Sequence, residues 1–100
     1  MQIKHDVKLA GIHPEIVIAA MVVNEMCREY GVEFVITCAK EGTHRKGSKH
    51  FVGQAIDVRT RDMALHNRKA FATSIAKAVG PEFDVVLEGN HLHIEFDPEC

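Results

Sequence analysis

The chain has no basic stripe, no disulfide framework and no apolar run long enough to cross a bilayer. Each absence removes a class of function. No run of Lys or Arg exceeds two, and the formal net charge is −2. A nucleic-acid or membrane-surface footprint needs clustered positive charge, so neither partner is expected. The short basic loop "THRKGSKH" contains no aromatic residue on which a base could stack. Cys27, Cys38 and Cys100 form no Cys-x-x-Cys pair, and their odd number suits no set of internal bridges. Cys27 and Cys38 sit in apolar patterns and read as small buried hydrophobes, and Cys100 as an exposed terminal thiol, so a reducing compartment is the simplest expectation. The opening "MQIKHDVKLAGIHPE" has no long apolar segment of the secretory type, so a cytoplasmic product as synthesised is expected. No stretch approaches the length of a membrane span, and no repeat, linker or low-complexity segment interrupts the chain.

What is present is a 100-residue sequence with 46% apolar and 26% charged residues. That suits one globular domain over residues 1–100, with an adequate but not generous core. "GIHPEIVIAAMVVNEMCREYG" predicts a helix over 14–30. Pro14 stands at its first position, Ile16, Ala19, Ala20, Val23, Cys27 and Tyr30 recur on one face, and Gly31 stops it. "VEFVITCA" and "GQAIDVRT" read as strands on either side of a polar, glycine-marked loop. "RDMALHNRKAFATSIAKAVGP" predicts a second helix over 62–79, capped by Thr60 or Asp62, with Phe71, Ile75, Ala78 and Val79 as its apolar stripe.

The last segment, "EFDVVLEGNHLHIEFD", reads as a hairpin about Gly89-Asn90. A two-residue turn fixes the register, with Glu88 opposite His91, Leu87 opposite Leu92 and Val86 opposite His93. Alternation then gives one apolar face, made of Phe83, Val85, Leu87, Leu92, Ile94 and Phe96. The other carries Asp84, Val86, Glu88, His91, His93 and Glu95. The order of elements implies an α+β domain with helices on one face of a mainly antiparallel sheet.

Seven histidines in a hundred residues is a local enrichment, because four lie in "THRKGSKH" and "HLH". The alternation of "QAIDVR" sends Ile56 and Val58 to the core and Ala55, Asp57 and Arg59 to the opposite face. If this strand neighbours the hairpin, Asp57 meets His91 and His93 beside Glu88, and His50 arrives from the loop with Gly53 permitting its bend. Histidine and carboxylate donors of this kind suit zinc, which lowers the pKa of bound water to roughly 7 and polarises a carbonyl. Glu88 is the obvious carboxylate to take the water's proton. His5, His13 and His66 read as solvent-facing or capping residues.

The run Ser48, His50, Gly53, Ala55 and Asp57, followed by a His-x-His strand, resembles the zinc D-alanyl-D-alanine carboxypeptidases and L-alanyl-D-glutamate peptidases. These are peptidoglycan-cleaving metallopeptidases whose fold the hedgehog signalling domain shares. The likeness runs in order and type from about residue 14 to residue 96. It implies that His50, Asp57 and His93 hold one zinc ion, that Arg45 grips a substrate carboxylate or carbonyl, and that Ser48 binds substrate or fixes the loop. Many members place the catalytic acid three residues before the last ligand. Here that position is Asn90, while Glu88 stands three before His91 and five before His93. Two arrangements follow: His91 as ligand with Glu88 as base, or His93 as ligand with the base displaced and His91 orienting water or the oxyanion. The second is preferred, since members with a late His-x-His use the second histidine. The implied activity is hydrolysis of peptidoglycan stem peptides, as a carboxypeptidase or endopeptidase, with a phage lysis or virion enzyme as one setting. The displaced base leaves a zinc-binding recognition module without turnover as the alternative.

Overall fold

The computed structural model describes residues 2–4, 7, 11–38, 55–61 and 63–97. The element order is β1 (Gln2–Ile3), α1 (Pro14–Tyr30), β2 (Val35–Cys38), β3 (Ala55–Arg59), α2 (Leu65–Val79), β4 (Phe83–Glu88) and β5 (His91–Phe96). The five strands form one mixed sheet in the order β1-β2-β3-β5-β4. Only β1 and β2 run parallel; β2 with β3, β3 with β5 and β4 with β5 are antiparallel.

Helix α1 has the predicted limits. Pro14 occupies its first turn, where a missing N–H costs nothing, and His13 is the capping residue without a side-chain cap bond. Gly31 adopts φ 70, a left-handed conformation that suits glycine, and its N–H bonds back to Arg28. Ile16, Ala19, Val23 and Cys27 are buried along one face, with Ala20 and Tyr30 packed at its margins. Desolvation pushes the Cys27 thiol up to about 11.

Helix α2 starts later than the sequence indicates. Its cap residue is Ala64, which offers no side-chain acceptor, so the expected Thr60 cap is not formed; Asp62 lies outside the described residues. Thr60 instead closes a turn through its carbonyl, which accepts from the Met63 N–H at 3.0 Å. The buried stripe is Phe71 and Ile75 with Ala72 and Val79 beside them, whereas Ala78 is exposed. Phe71 also meets Tyr30 of α1 edge to face, 5.3 Å between ring centres.

The hairpin has the expected register, from Phe83 opposite Phe96 to Glu88 opposite His91. Gly89 takes φ 51 at its turn. Leu92 and Ile94 join Ile36, Ile56 and Val58 in the core under both helices, with Phe83, Val85, Leu87 and Phe96 packed at its edge. The other face of the sheet is left for polar chemistry.

Candidate functional site

Strand β3 lies beside β5, the adjacency on which the convergence of Asp57 with the histidines depends. Three cross-strand rows build the polar face. Arg59, His91 and Glu88 form the row nearest the hairpin turn; Asp57, His93 and Val86 form the next; Ala55, Glu95 and Asp84 form the third. Directly opposed residues share a face, so these side chains are neighbours by register alone. A bulge between Ile36 and Cys38 shifts β2 where it passes Asp57. The Thr37 hydroxyl lies 3.4 Å from the Asp57 carbonyl, which accepts from it. Bulges of this kind re-aim the side chains beside them.

Asp57 is neither a core residue nor a solvated one: its side chain is 15% exposed. It accepts a hydrogen bond from His93 Nδ1 at 2.9 Å. The other ring nitrogen, Nε2, donates to Glu95 Oε1 at 3.0 Å. Carboxylate oxygens only accept, so both ring nitrogens carry protons and His93 is an imidazolium. Its pKa rises from 6.5 to about 9, mainly through the Asp57 hydrogen bond and also through Glu95 and the two negative charges, against a desolvation that pulls it down.

His91 is placed differently. Its Nδ1 donates to Asn90 Oδ1 at 3.3 Å, and its Nε2 faces Glu88 Oε1 at 3.5 Å. One ligand atom each from Asp57, Glu88 and His91 lies within 4.8 Å of the others, a spacing at which the three can hold one metal ion. Two carboxylates and an imidazole form a donor set that fits a divalent cation such as zinc.

The structure therefore brings together four of the seven residues singled out in the sequence: Asp57, Glu88, His91 and His93. Arg45, Ser48 and His50 lie outside the described residues. His66 is exposed at the start of α2, and His5 is outside the described residues. Glu95 was not singled out. Its signal was present, since it stands two positions after His93 on the same strand face. Arg68 was also missed. Its guanidinium donates to the carbonyls of Met63 at 2.9 Å, Gly89 at 3.3 Å and Arg61 at 3.3 Å, so α2 pins both the exit of β3 and the hairpin turn. The Thr60 N–H adds a bond to the Asn90 carbonyl at 2.9 Å.

The chain matches no protein-family model, no curated protein and no solved structure. Among the described residues, no helix is long and apolar enough to cross a membrane.

Proposed function

We propose that the chain is a zinc-dependent peptidase with the hedgehog/D-Ala-D-Ala-peptidase fold, hydrolysing the stem peptides of bacterial peptidoglycan. The observation that carries the reading is the pairing of Asp57 with His93 on adjacent strands, with Glu88 and His91 in the next row. It is joined to the Ser-x-His-x-x-Gly-x-Ala-x-Asp run that ends at Asp57. His50, Asp57 and His93 are the proposed zinc ligands. A zinc ion held by these residues would supply a lowered pKa for bound water and polarisation of a peptide carbonyl.

The remaining roles fall to the chain's own side chains. Glu88 stands exposed at the rim, where it takes the proton of the attacking water and returns it to the leaving amine. His91, held by Asn90, is placed beside Glu88 to orient the attacking water. Ser48 and Arg45, in the sequence between β2 and β3, are the proposed substrate-holding residues.

The test is incubation with defined muropeptides and identification of products by mass. Cleavage is expected to vanish with a chelator and return with zinc. Glu88→Gln should lower the rate by about 10²–10⁴-fold, the usual weight of a general base. A His50→Ala protein that cleaves at the parental rate refutes the reading. Zinc bound tightly without turnover on any muropeptide would assign the face to recognition instead.

A further inference from the structure

A helix lying on a sheet buries one face and gives the other to polar side chains. Helix α2 follows this rule. Apart from Leu65 at its first position, its outward face carries His66, Asn67, Lys69, Thr73 and Lys77. Helix α1 breaks it. Its buried stripe is Ile16, Ala19, Val23 and Cys27, yet the opposite face opens with Val17, Ile18 and Met21, which are 50%, 61% and 67% exposed. The apolar surface continues from Val17 and Met21 into a cavity of about 390 Å³ that Ile3, Ile12 and Ile36 also line. Exposed apolar surface of this extent marks a contact region.

The pattern of the face fits a second copy of the chain. Pro14, Ile18, Met21, Glu25 and Arg28, all exposed, follow one another at alternating steps of four and three residues. That is the spacing of a seam between paired helices. The seam is apolar in its first half and ionic in its second, where Glu25 accepts from Arg28 at 3.3 Å. Two such helices laid antiparallel over their full length would set the apolar half of each against the charged half of the other. Laid parallel, apolar layers meet apolar layers, and Glu25 of each copy stands one layer from Arg28 of the other. We propose that the chain forms a parallel two-fold dimer through this face of α1. An anionic lipid surface suits the face less well, because α1 carries Glu15, Glu25 and Glu29 against Arg28 as its one cation. Both helices cover the same side of the sheet, so the contact leaves both polar faces outward. On the peptidase reading, the dimer would engage a polymeric wall at two points.

Sedimentation equilibrium of the full chain from about 1 µM to about 1 mM tests this, the range in which a contact at the small end of specific interfaces assembles. The parent should pass from monomer to dimer. Met21→Glu should stay monomeric throughout. Leu65→Glu, which alters a comparably exposed apolar residue on α2, should dimerise like the parent. Charge reversal tests the parallel register. Glu25→Arg should weaken the dimer about tenfold at low salt, and Glu25→Arg/Arg28→Glu should restore it. A parent still monomeric at the top of the range, a dimer that survives Met21→Glu, or a dimer indifferent to Glu25→Arg overturns the proposal. So does a monomer that binds phosphatidylcholine vesicles and loses that binding in Met21→Glu, which gives the face to lipid. None of these measurements involves catalysis, so the peptidase reading stands or falls separately.

Discussion

The proton on His93 gives a prediction whose size follows from the structure. In the metal-free protein the His93 pKa stands near 9 against 6.5 for the free side chain. A group whose pKa rises on folding stabilises the fold fully below its unfolded pKa. That contribution is lost as pH climbs through the folded value. Stability should therefore fall between about pH 6.5 and pH 9. The shift corresponds to about 3 kcal/mol, an upper figure because the imidazole and both carboxylates retain some contact with solvent.

The assay is urea unfolding in the presence of a chelator, at intervals from pH 6 to pH 10, on the parent and on His93→Gln. Both proteins keep Cys27, whose raised pKa of about 11 also weakens the fold at high pH, so that contribution cancels in the difference. The parent should lead at pH 6 and lose about 3 kcal/mol of that lead by pH 10. A constant gap over the whole range would refute the reasoning, because it would mean that His93 gains nothing from its charge.

Three further outcomes are expected. Arg68→Ala should cost about 1–2 kcal/mol in urea unfolding by freeing three carbonyls, and Arg68→Lys should recover only part, since one ammonium cannot reach all three acceptors. Gly89→Ala should cost about 1 kcal/mol by thermal unfolding: its φ of 51 is strained for alanine, but no atom lies within 4 Å of the added Cβ. Zinc titrated by calorimetry at pH 7.5, in two buffers of different ionisation enthalpy, should release about one proton per ion if His93 is a ligand. A ligand set that omits His93 leaves that proton in place.

The hairpin could be read from sequence down to individual pairs because three signals agreed: a Gly-first turn, strict alternation, and one face that is wholly apolar. Asp57 followed from the alternation of its strand, but its partner His93 required knowing that β3 lies next to β5, a tertiary fact. β1 escaped notice because two residues carry no periodicity; its bonds to Phe34 and Ile36 define it. The start of α2 was misplaced because Thr60 and Asp62 are good caps by type, yet the turn closed by the Thr60 carbonyl delays the helix to Leu65.

Asp57 is the residue on which a proton and a metal ion compete. It belongs both to the hydrogen-bonded chain through His93 to Glu95 and to the cluster with Glu88 and His91. At pH 7.5 a pKa near 9 leaves only about 3% of His93 with a lone pair, roughly thirtyfold less than an unperturbed imidazole offers. The two histidines of "HLH" are thus unequal. On the proposed reading, His93 joins the metal only as its proton leaves. Glu95 holds that proton from the far side of the ring, so replacing Glu95 strengthens zinc binding through His93 without altering any ligand. That gain follows from acid–base linkage alone and is absent if His93 never enters the metal's shell.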